Sequence, residues 1–154
     1  MTTKVKGRFT FRFAAVCFAL SAVFELLNLQ DEAILFGHIF GGLPAAVYHI
    51  AYAALFSWVT IGLWNGSRSG YYTLLVTSIV YTLDRLQAVF VGDTLAQSLR
   101  QQVATHPEIL QVISADDLVR TAILTTFVLL LCWWGFVGYA YYRRDYFGIH
   151  PVST

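Results

Sequence analysis

The chain has 154 residues, 57% hydrophobic and 12% charged, with a formal net charge of +1. Soluble domains carry about 25% charged residues, so this composition reads as an integral membrane protein and offers no basic surface for nucleic acid. Its two cysteines, Cys17 and Cys132, lie in apolar surroundings without a CxxC spacing, which argues against thioredoxin-type redox chemistry.

Lys4, Lys6, Arg8 and Arg12 precede an apolar run from Phe13 to Leu29. Ala19-Leu20-Ser21 has the small residues of a signal-peptide cleavage site, but the apolar run before it is short and continues through it. An uncleaved transmembrane helix over about residues 10 to 29 follows. Ala14, Cys17, Ser21, Glu25 and Asn28 share one face, a small and polar stripe of the kind helices use to pack in lipid. Residues 30 to 42 read as a loop returning toward the membrane. In it His38 satisfies a local hydrogen bond, and the Gly37/Gly41 spacing marks flexible backbone rather than a dimer face. A second helix runs over about residues 43 to 64, with Pro44 in its first turn, where the missing N–H costs nothing. Ala45, His49, Tyr52, Ala53, Phe56 and Thr60 line one face. NGSRSG, residues 65 to 70, is a polar turn; its Asn65-Gly66-Ser67 sequon is silent if the turn is cytoplasmic.

The third helix, about residues 71 to 91, is long enough to span a bilayer, yet it carries Asp84 and Arg85. An ionisable residue there costs roughly 2.5 to 3.5 kcal/mol on insertion scales and so faces protein rather than lipid. Thr77, Tyr81, Asp84, Arg85 and Ala88 share its polar side. In residues 93 to 113, Leu95, Leu99 and Val103, then Leu110 and Ile113, recur at helical spacing, broken at His106-Pro107. This predicts two short amphipathic helices lying on the outer face as a cap. Ser114-x-x-Asp117 is a helix-start signal for a fourth helix over about residues 116 to 142. Tyr139, Tyr141 and Tyr142, followed by Arg143 and Arg144, form its interfacial belt. No internal repeat divides the chain, so residues 1 to 154 form a single all-α membrane domain, a bundle of four transmembrane helices with short amphipathic outer-face helices between the third and fourth.

Lys4, Lys6, Arg8, Arg12, Arg68, Arg143 and Arg144 fall on one side of that topology. Arg100 and Arg120 fall on the other, together with Asp31, Glu32, Asp93, Glu108, Asp116 and Asp117. The positive-inside rule then places both termini in the cytoplasm of a cell with this protein in its plasma (inner) membrane. In that orientation Glu25, His49 and Asp84 share the outer half of the bilayer, within about a helical turn of one another in depth. Two carboxylates against one guanidinium leave the group one positive charge short of neutrality. Protonation of His49, a protonated carboxyl or a bound cation would restore it.

The candidate ligand-, ion- or proton-binding residues are therefore Glu25, His49, Tyr52, Tyr81, Asp84 and Arg85. The plainer alternative is an interhelical clamp in which Arg85 pairs with Glu25 or Asp84. Two carboxylates and a histidine also suit a divalent ion, although no HxxxH or ExxH spacing is present. No phosphate loop, GxSxG elbow or HExxH occurs, so no cofactor is assigned. The sequence favours a small membrane protein that binds or transports a proton, a cation or a small amphipathic ligand. A second reading is an accessory subunit of a larger membrane complex or a homo-oligomer. A third is a membrane enzyme using His49 and a carboxylate for acid–base work on a lipid-like substrate.

Overall fold

A computed structural model describes residues 7–36, 38–90, 96–97 and 114–149. Four long helices account for nearly all of its regular structure: α1 (Arg8–Leu27), α2 (Leu43–Asn65), α3 (Arg68–Phe90) and α4 (Ala115–Tyr142). Strands β1 (Ala33–Leu35) and β2 (His38–Phe40) stand between α1 and α2, and a single turn of 3-10 helix, Arg144–Phe147, follows α4. α1, α2 and α4 are each long and apolar enough to cross a membrane. The amphipathic segment expected at 93 to 113 lies, apart from residues 96–97, outside the described residues.

Each helix packs on the next, and aromatic side chains close α4 back onto α1. Phe11 is wholly buried, with ring centroids 4.5 Å from Tyr146, 5.0 Å from Phe147 and 6.0 Å from Phe136. Phe18 meets Trp133 edge to face at 5.1 Å. The buried face of α1 is thus Phe11, Ala15, Phe18 and Ala22, which corrects the sequence reading. Cys17 on the small-residue stripe is exposed; the face that packs lies one position further on and alternates rings with alanines. On α2 the buried residues include Ala45, His49, Tyr52, Ala53 and Phe56, the face marked by the helical spacing. Ser114 caps α4 by accepting from the Asp117 N–H at 3.2 Å.

The end of the bundle that carries the arginines is tightly knit. Arg12 lies 4.9 Å over the Trp64 ring, and Arg68 Nε donates to the Gly148 carbonyl at 3.0 Å. Tyr146 Oη donates to the Leu63 carbonyl at 2.8 Å, satisfying an acceptor that the end of α2 leaves free. Burial pushes the Tyr146 hydroxyl above its ordinary pKa despite the opposing pull of Arg12 and Arg8, so it stays a donor. Arg8, Arg12, Arg68, Arg143 and Arg144 therefore share one end, as an up-down-up-down connection of four helices requires.

Two glycines set the α2/α3 spacing. A Cβ on Gly62 would sit 2.2 Å from the Gly70 Cα, so the two backbones touch. Between them Gly66 reverses the chain at φ 62°, a conformation that suits glycine.

The segment between α1 and α2 is not the plain loop read from the sequence. It is an antiparallel hairpin pairing Ala33 with Phe40, Ile34 with Ile39 and Leu35 with His38. Phe36 occupies the left-handed region at φ 49°, as two-residue hairpin connections demand. His38 is exposed on β2 and takes no part in the polar cluster described below.

Gly62→Ala should force α2 and α3 apart and lower thermal stability in detergent, by an overpacking cost of about 1 to 3 kcal/mol. Gly41→Ala, with nothing within 4 Å of its added methyl, should leave the melting temperature unchanged. Equal effects at both positions would contradict the close α2/α3 approach.

Candidate functional site

At the end of the bundle opposite the arginines, polar side chains from three helices meet. α2 supplies Tyr48, His49 and Tyr52, which successive turns bring to its inner side; α1 supplies Glu25, and α3 supplies Asp84, Arg85 and Gln87. His49 Nδ1 lies 2.7 Å from Glu25 Oε2. The histidine is only 8% exposed, and its buried Nε2 has no hydrogen-bond partner among the described residues. The Tyr48 hydroxyl donates to Asp84 Oδ2 at 2.8 Å. Arg85 Nε approaches the same oxygen no closer than 3.9 Å, with its side chain 40% exposed against 9% for Asp84. Its guanidinium lies 4.9 Å over the Tyr81 ring, which in turn stacks on Trp133 at 4.6 Å.

Three of the six sequence candidates, with Tyr48, form two linked groups. Glu25 and His49 join α1 to α2, while Tyr48 and Asp84 join α2 to α3. The Tyr48 ring stands between the groups, edge to face with the His49 imidazole at 5.3 Å. Arg85 pairs with its neighbour Asp84 along α3 and, among the described residues, forms no interhelical ion pair. Tyr52 is buried, and its hydroxyl lies near the same Asp84 carboxylate without the close geometry of the Tyr48 bond. Tyr48 was not among the sequence candidates. Its position one turn before Tyr52, beside His49, was the available signal.

Between α2 and α3 lies a cavity of about 510 Å³. Tyr48, Tyr52, Asp84 and Gln87 give it a polar wall; Leu35, Phe36, Val80 and Leu83 complete it with apolar surface. Gln87 holds the hairpin over this cavity with both ends of its amide. Its Nε2 donates to the Ile34 carbonyl at 2.8 Å, and its Oε1 accepts from the Phe36 N–H. Glu25, His49, Tyr81 and Arg85 are not among the residues that line the cavity. Among the described residues, no three His, Cys, Asp or Glu side chains converge as a metal site. A second cavity of about 340 Å³ lies between α1 and α4 and is bounded by Phe13, Cys17, Phe18, Trp133 and Phe136.

No protein-family model, curated protein or solved structure matches this chain.

Tyr48 is the closest donor to a buried carboxylate, and Arg85 is a half-exposed neighbour. Tyr48→Phe should therefore cost roughly 1 to 3 kcal/mol of stability, and Arg85→Gln no more than about 1 kcal/mol. Thermal unfolding of both variants in one detergent checks the order. A larger loss for Arg85→Gln would make the ion pair, not the tyrosine, the partner that holds Asp84.

Proposed function

We propose that this chain crosses the membrane four times and binds a small amphipathic cation in the α2/α3 cavity. The fourth crossing is α3, and its pattern of exposure supports this. Between Tyr71 and Phe90 the exposed positions are Tyr72, Val76, Ile79, Val80, Leu83 and Phe90, while Thr77 and Ser78 are buried. A helix that turns apolar residues outward and polar ones inward suits lipid. The gathering of five arginines at one end favours that end, with both chain termini, on the cytoplasmic side of a plasma or inner membrane. The cavity then lies in the outer half. Val80 and Leu83, on the lipid-directed face of α3, form part of its wall, so a ligand has access sideways from the bilayer.

The observation that carries the ligand class is Asp84, a carboxylate 9% exposed in the wall of an otherwise apolar and aromatic cavity. Its volume lies within the range of about 300 to 1,000 Å³ usual for small-molecule sites. A carboxylate beside the rings of Tyr48, Tyr52 and Phe36 is the environment that attracts an ammonium group, through charge and through the faces of the rings. The apolar wall would take the rest of the ligand. Whether the site serves storage, sensing or transport, recognition of the cation is the common step.

The accessory-subunit reading retains one observation: no residue of α4 from Asp117 to Leu129 is buried. That stretch is free for lipid or for a partner helix. A stoichiometric partner after gentle extraction would favour the partner. The acid–base enzyme draws no support from the site, since His49 does not line the cavity.

The test uses benzyltrimethylammonium and its uncharged carbon isostere, neopentylbenzene, with the full chain in maltoside micelles. The cation should raise the melting temperature and the isostere should not. Asp84→Asn should weaken cation binding about tenfold or more. Equal binding of both probes, or an unaffected Asp84→Asn variant, would overturn the cation reading.

A further inference from the structure

We infer that the Glu25–His49 pair is a proton site coupled to the cavity, so that a cation bound at Asp84 displaces the proton held on His49. This rests on the cavity being a cation site, as proposed above.

The inference starts from charge. Glu25 and Asp84 bring two negative charges to this end of the bundle, and Arg85 one positive. A buried group with an unbalanced charge is costly in a membrane, so one positive charge is missing. Two places can supply it. One is His49, whose Nδ1 is 2.7 Å from Glu25 Oε2 and becomes the positive half of an ion pair on protonation. The other is a cationic ligand in the cavity, against Asp84. Filling either place makes the other less favourable, because the second positive charge would again leave the group unbalanced.

The geometry makes His49 the proton that yields. Nδ1–H stays on Glu25 in both states. The proton that comes and goes is on Nε2, which is buried and has no hydrogen-bond partner. Charge alone holds it there, and no acceptor must be broken from it when it leaves. The balance is one cation in and one proton out, with His49 left neutral. The charged and titratable groups that face this pair among the described residues come from three helices. α1 presents Glu25, α2 presents Tyr48 and Tyr52, and α3 presents Tyr81, Asp84 and Arg85. α4 places the uncharged Trp133 against Tyr81. Tyr48 is the physical link, donating to Asp84 at 2.8 Å while its ring meets the imidazole. Reciprocity of linked equilibria then requires that protonation weaken cation binding as much as the cation weakens protonation.

Benzyltrimethylammonium has a fixed charge, so any pH dependence of its binding belongs to the protein. Its affinity for the full chain in maltoside micelles should rise with pH by up to about tenfold per unit across the range of one single-proton transition. Calorimetry of the wild type in two buffers of different ionisation enthalpy should count about one proton released per cation bound within that range. His49→Gln should flatten the pH profile. Cation binding that is independent of pH, with no proton released, would overturn the coupling and leave the cavity reading intact. A wild-type slope in His49→Gln would also overturn it, assigning the proton elsewhere. No binding at any pH would overturn both.

Discussion

A helix that carries serine, threonine, aspartate, arginine and glutamine along one side can stand in a bilayer only if its neighbours answer those groups. Several of the contacts that α3 makes serve this requirement. Trp133 Nε1 donates to Ser78 Oγ at 2.7 Å, and one turn on Trp134 Nε1 donates to Thr82 Oγ1 at 2.9 Å. Both hydroxyls pass their own protons back to α3 carbonyls, Ser78 to Leu74 and Thr82 to Ser78. Each is thereby satisfied as donor and as acceptor. Tyr48 answers Asp84 from the other side, and Gln87 spends its amide on the hairpin. Thr77 Oγ1 is buried without a partner, a neutral hydroxyl whose burial costs far less than an unanswered charge would.

The second determinant is where α2 and α3 touch. At the arginine-rich end Gly62 and Gly70 let the two backbones meet, and the C-terminal turn seals that end through Tyr146 and Phe147. At the other end the same two helices carry tyrosines and Asp84 in place of glycines, and the cavity lies between them. Small residues at one end and rings at the other therefore produce a wedge, closed toward the arginines and open beneath the hairpin. The polar cluster sits at the open end, where the helices stand far enough apart to hold its side chains.

How much of this was legible follows from the range of the interactions. Helices α1, α2 and α4 declare themselves because apolar length is a local property, and the face of α2 follows from spacing within a single helix. The Ser114 cap is equally local. The hairpin is not, since it is held by Gln87, some fifty residues further along the chain. The Gly62/Gly70 contact spans a turn, whereas the glycine pattern visible in sequence, Gly37 and Gly41, sits in the hairpin region, where Gly41 touches nothing. The face of α1 was misread. The small stripe marked Ala14, Cys17 and Ser21, whereas the face that α1 buries alternates rings with alanines, Phe11, Ala15, Phe18 and Ala22. In the polar cluster the ionisable residues stood out by type, but their pairing did not. Glu25 meets His49 and Asp84 meets Tyr48 because of helix rotation, which no spacing along one chain segment encodes.

The central claim is that α3 crosses the membrane with its apolar side in lipid and its polar side answered by α2 and α4. It is tested most directly by spin labels at Val76→Cys, Ile79→Cys and Leu83→Cys, one at a time, in protein lacking Cys17 and Cys132 and reconstituted in bilayers. The account predicts relaxation by oxygen, which concentrates in lipid, and little relaxation by a water-soluble nickel chelate at all three positions. Strong relaxation by the nickel chelate along this face would place α3 in water and contradict the account.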